Sequence, residues 1–209
     1  MPELDWRQNQ DLRSYAYLHE GAVTAISKSW PLGPVLDQGQ DGSCTGHGFA
    51  AAVSSVHPGV NHHTALAYYE LATSRDPFPG DWPTADTGSS VNAVMRAGRD
   101  LTLVSSWHWC TDAMAAADAI ATVGPVVIGI AWHASMDDDS GPVLNVDLGS
   151  KIRGGHCVCL RGYDAATGRF RLRNSWGIGW GDGGEIDLRF VDLDALLTEG
   201  GEAAVPRIR

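Results

Sequence analysis

The sequence predicts an α+β protein with two lobes, because helical patterns come first and strand patterns follow. Between residues 44 and 122, small and apolar residues recur at helical spacing, interrupted by glycine and proline. From residue 126 onward, short runs rich in valine and isoleucine are separated by glycine-bearing turns. With 209 residues, 44% of them hydrophobic, the chain is long enough to bury a substantial core.

These patterns divide the chain into three parts within one domain. We expect residues 1–36 to form an irregular N-terminal segment, about 37–111 a mainly helical lobe, and about 112–209 a mainly β lobe. The first part ends in the run WPLGP at residues 30–34, whose prolines and glycine require a loop. A cleft between the two lobes is the expected place for a ligand.

Four helices are expected in the first two thirds of the chain. The earliest contains Gly46 and Gly48, each of which weakens an isolated helix by about 1 kcal/mol relative to alanine. Such a helix needs tertiary support, so we expect it to be central and closely packed. The predicted helices cover residues 44–57, 63–74, 89–98 and 113–122, the last with Asp112 as its N-cap.

Four strands are expected in the second half, and two of them bring polar residues together. The strands are predicted over residues 126–132, 156–164, 169–176 and 185–191. Alternation places His156 and Asn174 on the apolar faces of their strands. A hairpin centred near Ala165 sets the two side chains opposite each other, within bonding distance, and a slip of two residues leaves them diagonal. The alternative is a His–Asn pair that serves only the core.

Charge and hydropathy exclude several classes of protein. The net charge of −10 argues against a nucleic-acid or anionic-membrane binder, which needs a basic face. No run approaches the roughly 18 apolar residues of a membrane span, and the N-terminus has no apolar core of a secretory signal. We therefore expect a cytoplasmic protein, with a monomer favoured.

Cysteine and histidine usage indicates neither a disulfide framework nor a metal site. Cys157 and Cys159 lie two apart in one strand and are poorly placed to bridge each other, so we expect free thiols. His57, His62 and His63 could suggest a metal, but no cysteine or carboxylate spacing supports one. We expect no metal and no cofactor.

Cys44 stands at a loop–helix junction, directly after residues 41–43. The partial positive charge of a helix N-terminus lowers a thiol pKa, which predicts a reactive thiolate. The alternative is a buried and inert cysteine. Together with His156 and Asn174, Cys44 would complete a nucleophile, a base and an orienting amide. His47 is a weaker candidate base, because it lies on the same short helix as Cys44.

Three blocks of sequence carry a family resemblance. They are VLDQGQDGSCTGHGFA at residues 35–50, GGHCVCLRGYD at 154–164 and RNSWGIGWGDGGEIDL at 173–188. In this order they resemble the signature blocks of papain-like (C1 family) cysteine peptidases. The resemblance implies a two-lobe fold: a central helix carries the nucleophile, an antiparallel β-barrel-like lobe carries the histidine and asparagine, and the active site lies in the cleft between them. It also implies a hydrolase acting on peptide or protein substrates.

The resemblance assigns a role to each matching residue. Cys44 resembles the nucleophile, and Gln38 the side-chain donor of the oxyanion hole. His156 resembles the general base that later protonates the leaving amine. Asn174 resembles the group that orients the imidazole, and Trp176 the indole that shields the His–Asn bond from water.

Three further residues resemble substrate-binding positions of the family. Gly88 lies in a segment similar to the one that pairs with an extended peptide backbone, where a side chain would obstruct the approach. Gly129 and Cys157 fall where the family lines its main specificity pocket. For each of these the alternative is a turn, a packing contact or an ordinary strand residue.

The sequence also departs from the family pattern. Asp41 stands where the family has a disulfide-bonded cysteine, and Thr45 replaces an aromatic residue after the nucleophile. The 43 residues before Cys44 are too few for a long inhibitory propeptide, so either the chain is a mature form or its control does not use a propeptide of that kind. These features indicate a bacterial or phage-type variant without the usual disulfides or propeptide.

Three other functions remain possible at this point. The same triad could cleave peptidoglycan stem peptides, as a lytic enzyme does. Acyl transfer to an amine is less favoured, because enzymes of that kind usually orient their histidine with aspartate rather than Asn174. The third is a catalytically weak pseudopeptidase that binds extended peptides, against which stands the joint presence of Gln38, Cys44, His156 and Asn174.

Overall fold

The structure is a computed structural model that describes residues 4–9, 18 and 26–209. This part of the chain forms five α-helices and seven strands. The helices are α1 (Cys44–Val53), α2 (His62–Thr73), α3 (Val91–Asp100), α4 (Ala113–Thr122) and α5 (Phe190–Thr198). The strands are β1 (Lys28–Ser29), β2 (Val104–Trp109), β3 (Val126–His133), β4 (Ile152–Asp164), β5 (Arg169–Arg173), β6 (Glu185–Arg189) and β7 (Glu202–Ile208).

The four predicted helices are present, and the predicted N-cap of α4 is confirmed. The Asp112 carboxylate accepts the backbone N–H of Ala115 at 2.8 Å, as its N-cap position predicts. α1 ends four residues earlier than predicted, at Val53. Residues 190–191 were expected to continue a strand, which is wrong, because they begin α5. Strands β1, β2 and β7 were not predicted. Pro206 interrupts the pattern of β7, half of the residues of β2 are polar, and β1 has only two residues.

One antiparallel sheet connects both lobes, with strand order β2-β7-β3-β4-β5-β6 and β1 paired to the outer part of β4. Its two faces contribute to two hydrophobic clusters, because side chains alternate along each strand. One face, with Val127, Cys157 and Cys159, packs against α1 and α3. The other face, with Ile128 and Val158, packs against α4 and α5. Within the described residues, none of the helices is long and apolar enough to cross a membrane.

The two glycines of α1 allow it to pack closely on both sides. A Cβ on Gly46 would overlap the carbonyl oxygen of Ala65 in α2. A Cβ on Gly48 would lie 3.1 Å from the Cys157 sulfur in β4. The expected close packing is therefore confirmed, and it holds the start of α1 against the middle of β4.

The hairpin of β4 and β5 differs from prediction by two residues in register. Cys159 pairs with Arg173 and Leu160 with Leu172, so His156 and Asn174 are diagonal rather than directly opposite. A bulge between Leu160 and Gly162 reduces the shift from three residues near the turn to two residues beyond it. The side chains still meet, because a slip of two residues keeps both on the same face.

The buried carboxylate of Glu185 connects strands β4, β5 and β6 through ion pairs. Glu185 on β6 receives ion pairs from Arg161 at 2.7 Å, Arg171 at 2.9 Å and Arg173 at 2.6 Å. Burial alone would raise the pKa of Glu185, but hydrogen bonds from Arg161 and Arg171 and the charge of Arg173 lower it to about 2. Arg173 also donates to the carbonyl of Gly33, which ties the N-terminal loop to the sheet.

We expect Glu185→Gln to lower the free energy of unfolding at pH 7 by about 3 kcal/mol. Arg161 and Arg173 lose the carboxylate with which they pair, whereas Arg171 keeps its ion pairs with Asp182 and Asp187. The folded-state pKa lies below the unfolded one, so this stability is present above about pH 4.5 and is lost as pH falls toward about 2. Urea unfolding between pH 2 and 7 measures it, with exposed Glu70→Gln as the matched control. The prediction would be contradicted if the free energy of unfolding changed with pH by the same amount in wild type and in Glu185→Gln.

Candidate active site

Cys44 is the first residue of α1 and is fully buried. Burial raises the pKa of its thiol to about 12, although backbone hydrogen bonds from Cys157, Asp5 and Thr45 act in the opposite direction. The negative charge of Asp5 raises the pKa further. The expectation that the helix N-terminus lowers the pKa is therefore wrong for this covered state, because desolvation outweighs the helix dipole.

His156 and Asn174 form the contact that the strand alternation predicts. The imidazole Nε2 lies 2.8 Å from the Asn174 Oδ1, and both side chains are buried. Because an amide oxygen only accepts, Nε2 carries the proton and donates it to Oδ1. The other nitrogen, Nδ1, is buried and has no hydrogen-bond partner among the described residues. Burial lowers the pKa of His156 to about 4, although the bond to Asn174 raises it.

Two indoles enclose the imidazole. The Trp176 ring stacks on His156 with centroids 4.8 Å apart and an angle of 25° between the planes. The Trp132 ring meets His156 edge-on, at 4.9 Å and 87°. Trp132 was not singled out from the sequence, where it is only one apolar residue near the end of β3. The two rings thus pack against the imidazole from two directions.

Gln38 lies beside the same pair and is almost fully buried. Its Oε1 accepts the Ser175 hydroxyl at 2.7 Å, and its Nε2 donates to the Asp41 carbonyl at 2.8 Å. Its backbone N–H donates to the Ser175 carbonyl at 2.9 Å. Because Ser175 N–H also donates to Asn174 Oδ1, one serine links Gln38 to the His–Asn pair. The role of Ser175 was missed, since its hydroxyl partner is distant in sequence.

Residues 4–9, which we call the N-terminal strap, run as an extended segment through the cleft. The backbone N–H of Trp6 donates to Gly155 at 2.8 Å, and that of Arg7 donates to Ser89 at 2.8 Å. The N–H of Ser89 returns a bond to the Asp5 carbonyl at 3.2 Å. The strap is thus parallel to both neighbouring segments. It was open from the sequence whether the first 36 residues cover the cleft; residues 4–9 do.

The predicted binding residues line the path of the strap. Gly88 has a φ of +74°, and a Cβ there would overlap the Asp5 carbonyl oxygen. Gly129 lies under the Trp6 indole, where a Cβ would overlap Nε1. Cys157 is directly opposite Gly129 on the next strand. An extended peptide segment therefore lies along Gly88 and over Gly129, and here it belongs to the chain itself.

The competing histidines have other partners. His47 Nδ1 lies 3.0 Å from the Ser43 carbonyl oxygen, and its Nε2 lies 3.1 Å from His62 Nδ1. Burial lowers the pKa of His47 to about 4. Within residues 4–9, 18 and 26–209, no group of three or more metal-ligating side chains comes together. All four cysteines are free and buried, and the expected free thiols are confirmed.

Comparison with known proteins supports the resemblance seen in the sequence. A family model described as papain family cysteine protease matches residues 104–191, which contain the second and third sequence blocks. The solved structure of xylellain, a cysteine protease from Xylella fastidiosa, superposes with a TM-score of 0.78 over 99% of this chain and 96% of that chain. At 17% identity this likeness shows the fold. The chain therefore has the papain-like fold, and its resemblance to papain-family cysteine proteases is confirmed.

Two curated relatives match smaller parts of longer proteins. Gamete and mating-type specific protein A of Dictyostelium discoideum is 26% identical over 182 residues, 74% of this chain and 40% of that protein. Silicatein of Petrosia ficiformis is 38% identical over 73 residues, 34% of this chain and 22% of that protein. The chain thus spans less than half the length of either relative.

Proposed function

We propose that this protein is a cysteine peptidase that hydrolyses peptide bonds through an acyl-enzyme formed on Cys44. The observation that supports it most strongly is the buried His156–Asn174 hydrogen bond, which leaves Nδ1 as the proton acceptor on the strand packed against α1. The papain-like fold and the family match support the same chemistry.

The first half of the reaction forms the thioester. His156 Nδ1 takes the Cys44 thiol proton, and the thiolate sulfur attacks the carbonyl carbon of the scissile bond. The Gln38 side-chain amide and the Cys44 backbone N–H are the expected donors to the resulting oxyanion. The tetrahedral intermediate collapses, the C–N bond breaks, and the amine leaves with the proton from His156.

The second half hydrolyses the thioester. His156 Nδ1 accepts a proton from water as the water oxygen attacks the acyl carbon, and the sulfur then leaves and regains a proton. Asn174 keeps the imidazole oriented in both halves by accepting its Nε2–H. Trp176 and Trp132 keep water away from that bond, because both rings pack against the imidazole.

Substrate binding follows the course of the strap. In this proposal, Gly88 and its neighbour Ser89 pair with the backbone of an extended peptide, while Gly129 and Cys157 line a side-chain pocket and Trp176 borders the cleft. Because residues 5–7 already bond the N–H and carbonyl of Ser89, a substrate must displace the strap first. The covered chain is then latent, with a neutral thiol and a neutral imidazole.

Hydrolysis of a fluorogenic peptide library by the full chain and by a Trp6→Ala chain, which weakens the strap, tests the proposal. We expect Cys44→Ala in either background to lower kcat/KM by at least about 10,000-fold, because the nucleophile is lost. Cys110→Ala, a buried cysteine in the other cluster, is the matched control and retains activity. Peptide cleavage that survives Cys44→Ala would contradict the proposal.

A further inference from the structure

The side chains of Tyr69 and Asp86 connect two backbone segments of the candidate site. Asp86 Oδ2 accepts the backbone N–H of Gly42 at 2.7 Å, and its Oδ1 accepts the Tyr69 hydroxyl. The same hydroxyl oxygen accepts the backbone N–H of Gly88 at 3.1 Å. Three consecutive hydrogen bonds, which we call the Tyr69–Asp86 bridge, thus join the loop that precedes Cys44 to the segment that pairs with the strap.

The direction of each bond in the bridge is fixed by chemistry. The two backbone N–H groups can only donate, so Asp86 and the Tyr69 oxygen accept from them. Tyr69 is fully buried, and its burial together with the bond to Asp86 raises the pKa of its hydroxyl. The hydroxyl therefore keeps its proton and donates it to the carboxylate. Both carboxylate oxygens and the hydroxyl are thus occupied within the bridge.

Both ends of the bridge border the path of the strap. A Cβ on Gly42 would overlap the Asp5 carboxylate, and a Cβ on Gly88 would overlap the Asp5 carbonyl oxygen. One residue of the strap therefore contacts both segments that the bridge joins. Neither Tyr69 nor Asp86 was singled out from the sequence, because no pattern relates them to Gly42, which lies more than 25 residues earlier.

The two segments need such a connection because glycine gives them little conformational restriction of their own. Gly39 and Gly42 lie in the loop before Cys44, and Gly88 has a φ of +74°. Gly42 and Gly88 are both buried, so an N–H that lost its acceptor there would remain without a hydrogen bond. Displacement of a reacting group by about 1 Å can lower a rate by about 100-fold. The bridge therefore bears on the position of Cys44 as well as on peptide binding.

We propose that Tyr69 and Asp86 are positioning residues, which hold the nucleophile loop and the peptide-pairing segment in one arrangement. Asp86 acts through Gly42 on Cys44, and Tyr69 acts through Gly88 on the bound peptide. The inference rests on the proposed peptidase function for its effect on turnover, whereas its effect on peptide binding does not require catalysis. The two residues are therefore expected to differ in which kinetic constant they change.

Peptide hydrolysis in the Trp6→Ala background measures this difference. We expect Tyr69→Phe to raise KM about tenfold with kcat changed less than threefold, because the pairing segment loses one hydrogen bond. We expect Asp86→Ala to lower kcat by about 30-fold, because the loop before Cys44 is released. Asp86→Asn retains an oxygen for the Gly42 N–H, so its kcat should return to within about threefold of the parent chain.

Two variants control for side-chain loss without loss of the bridge. Tyr68→Phe changes the neighbouring buried tyrosine of α2, whose ring packs against Phe49. Asp81→Ala changes an exposed aspartate of the same α2–α3 connection. Both should leave kcat and KM within about twofold of the parent chain. A lower melting temperature of Asp86→Ala with kcat and KM unchanged would assign the bridge to the fold alone and overturn the proposal.

Binding of a fluorescein-labelled peptide with the strap sequence LDWRQN separates this proposal from the peptidase function. The Trp6→Ala, Cys44→Ala chain cannot form an acyl-enzyme, and we expect Tyr69→Phe to weaken its binding of the peptide about tenfold, measured by fluorescence anisotropy. Tyr68→Phe should change it less than threefold. Weaker binding in Tyr69→Phe, without hydrolysis of any library peptide, supports the positioning role and contradicts the peptidase. Equal binding in both variants, or no binding to the parent chain, contradicts the positioning role whether or not peptides are cleaved.

Discussion

Trp6→Ala is expected to expose Cys44 and to raise its rate of alkylation by iodoacetamide at pH 7 by about 100-fold or more. The strap is held in the cleft by a few backbone hydrogen bonds and by the Trp6 indole over Gly129. Truncation of a fully buried aromatic side chain costs about 3–5 kcal/mol. Trp6 is partly buried, so we expect a cost toward the lower end of this range, and it falls on the closed state alone. The same variant should hydrolyse peptides faster than wild type, because substrate no longer competes with the indole.

Alkylation followed by peptide mass spectrometry measures this at each cysteine. Gln8→Ala, an exposed position of the strap, is the control and should change the Cys44 rate less than threefold.

Equal Cys44 labelling in wild type and Trp6→Ala would mean that the strap does not limit access to the thiol. Faster labelling of Cys110 or Cys159 in parallel with Cys44 would instead indicate general loosening of the fold. A thermal unfolding curve for each variant distinguishes this case, because local opening leaves the main transition in place.

Gly88→Ala is expected to separate thiol reactivity from peptide hydrolysis. The added Cβ overlaps the Asp5 carbonyl oxygen, so it expels the strap and should accelerate Cys44 alkylation. The same Cβ obstructs any extended peptide that pairs with this segment, so kcat/KM for peptides should fall by about 100-fold relative to Trp6→Ala. Small reagents reach the thiol, whereas peptides no longer bind in register.

Gly168→Ala is the matched control for backbone strain. Gly168 has a φ of +65°, close to that of Gly88, but no neighbouring atom lies within 4 Å of its added Cβ. We expect a small loss of stability and no change in labelling or hydrolysis. Peptide hydrolysis by Gly88→Ala at the Trp6→Ala rate would contradict the assigned backbone pairing.

Most of the fold can be predicted from the sequence, because the residue patterns that indicate helices, strands and caps are local. Alternation along β4 and β5 placed His156 and Asn174 on one side, and the bond between them is present despite the shift in register. The capping position of Asp112 and the small residues of α1 likewise predicted features that the structure contains. Pro206 concealed β7, a strand defined by its neighbours on the sheet rather than by its own pattern.

The raised pKa of Cys44 and the covering of the cleft by the strap could not be predicted, because both depend on contacts distant in sequence. A helix N-terminus favours a thiolate at Cys44, but burial under the strap raises that pKa instead. No motif marks Trp6 as the residue whose indole covers Gly129. These contacts form only when residues 4–9 pack against strands that lie more than a hundred residues further along the chain.

The most direct test of the account is the pH profile of Cys44 alkylation in the Trp6→Ala chain, measured with and without His156→Ala. Once the strap is displaced, water reaches the site, and the thiolate and imidazolium can stabilise each other. We expect rapid labelling of Cys44 already near about pH 5–6, with that labelling lost in His156→Ala. Labelling that begins only above about pH 8 in both chains would contradict it, because Cys44 would then be an ordinary thiol.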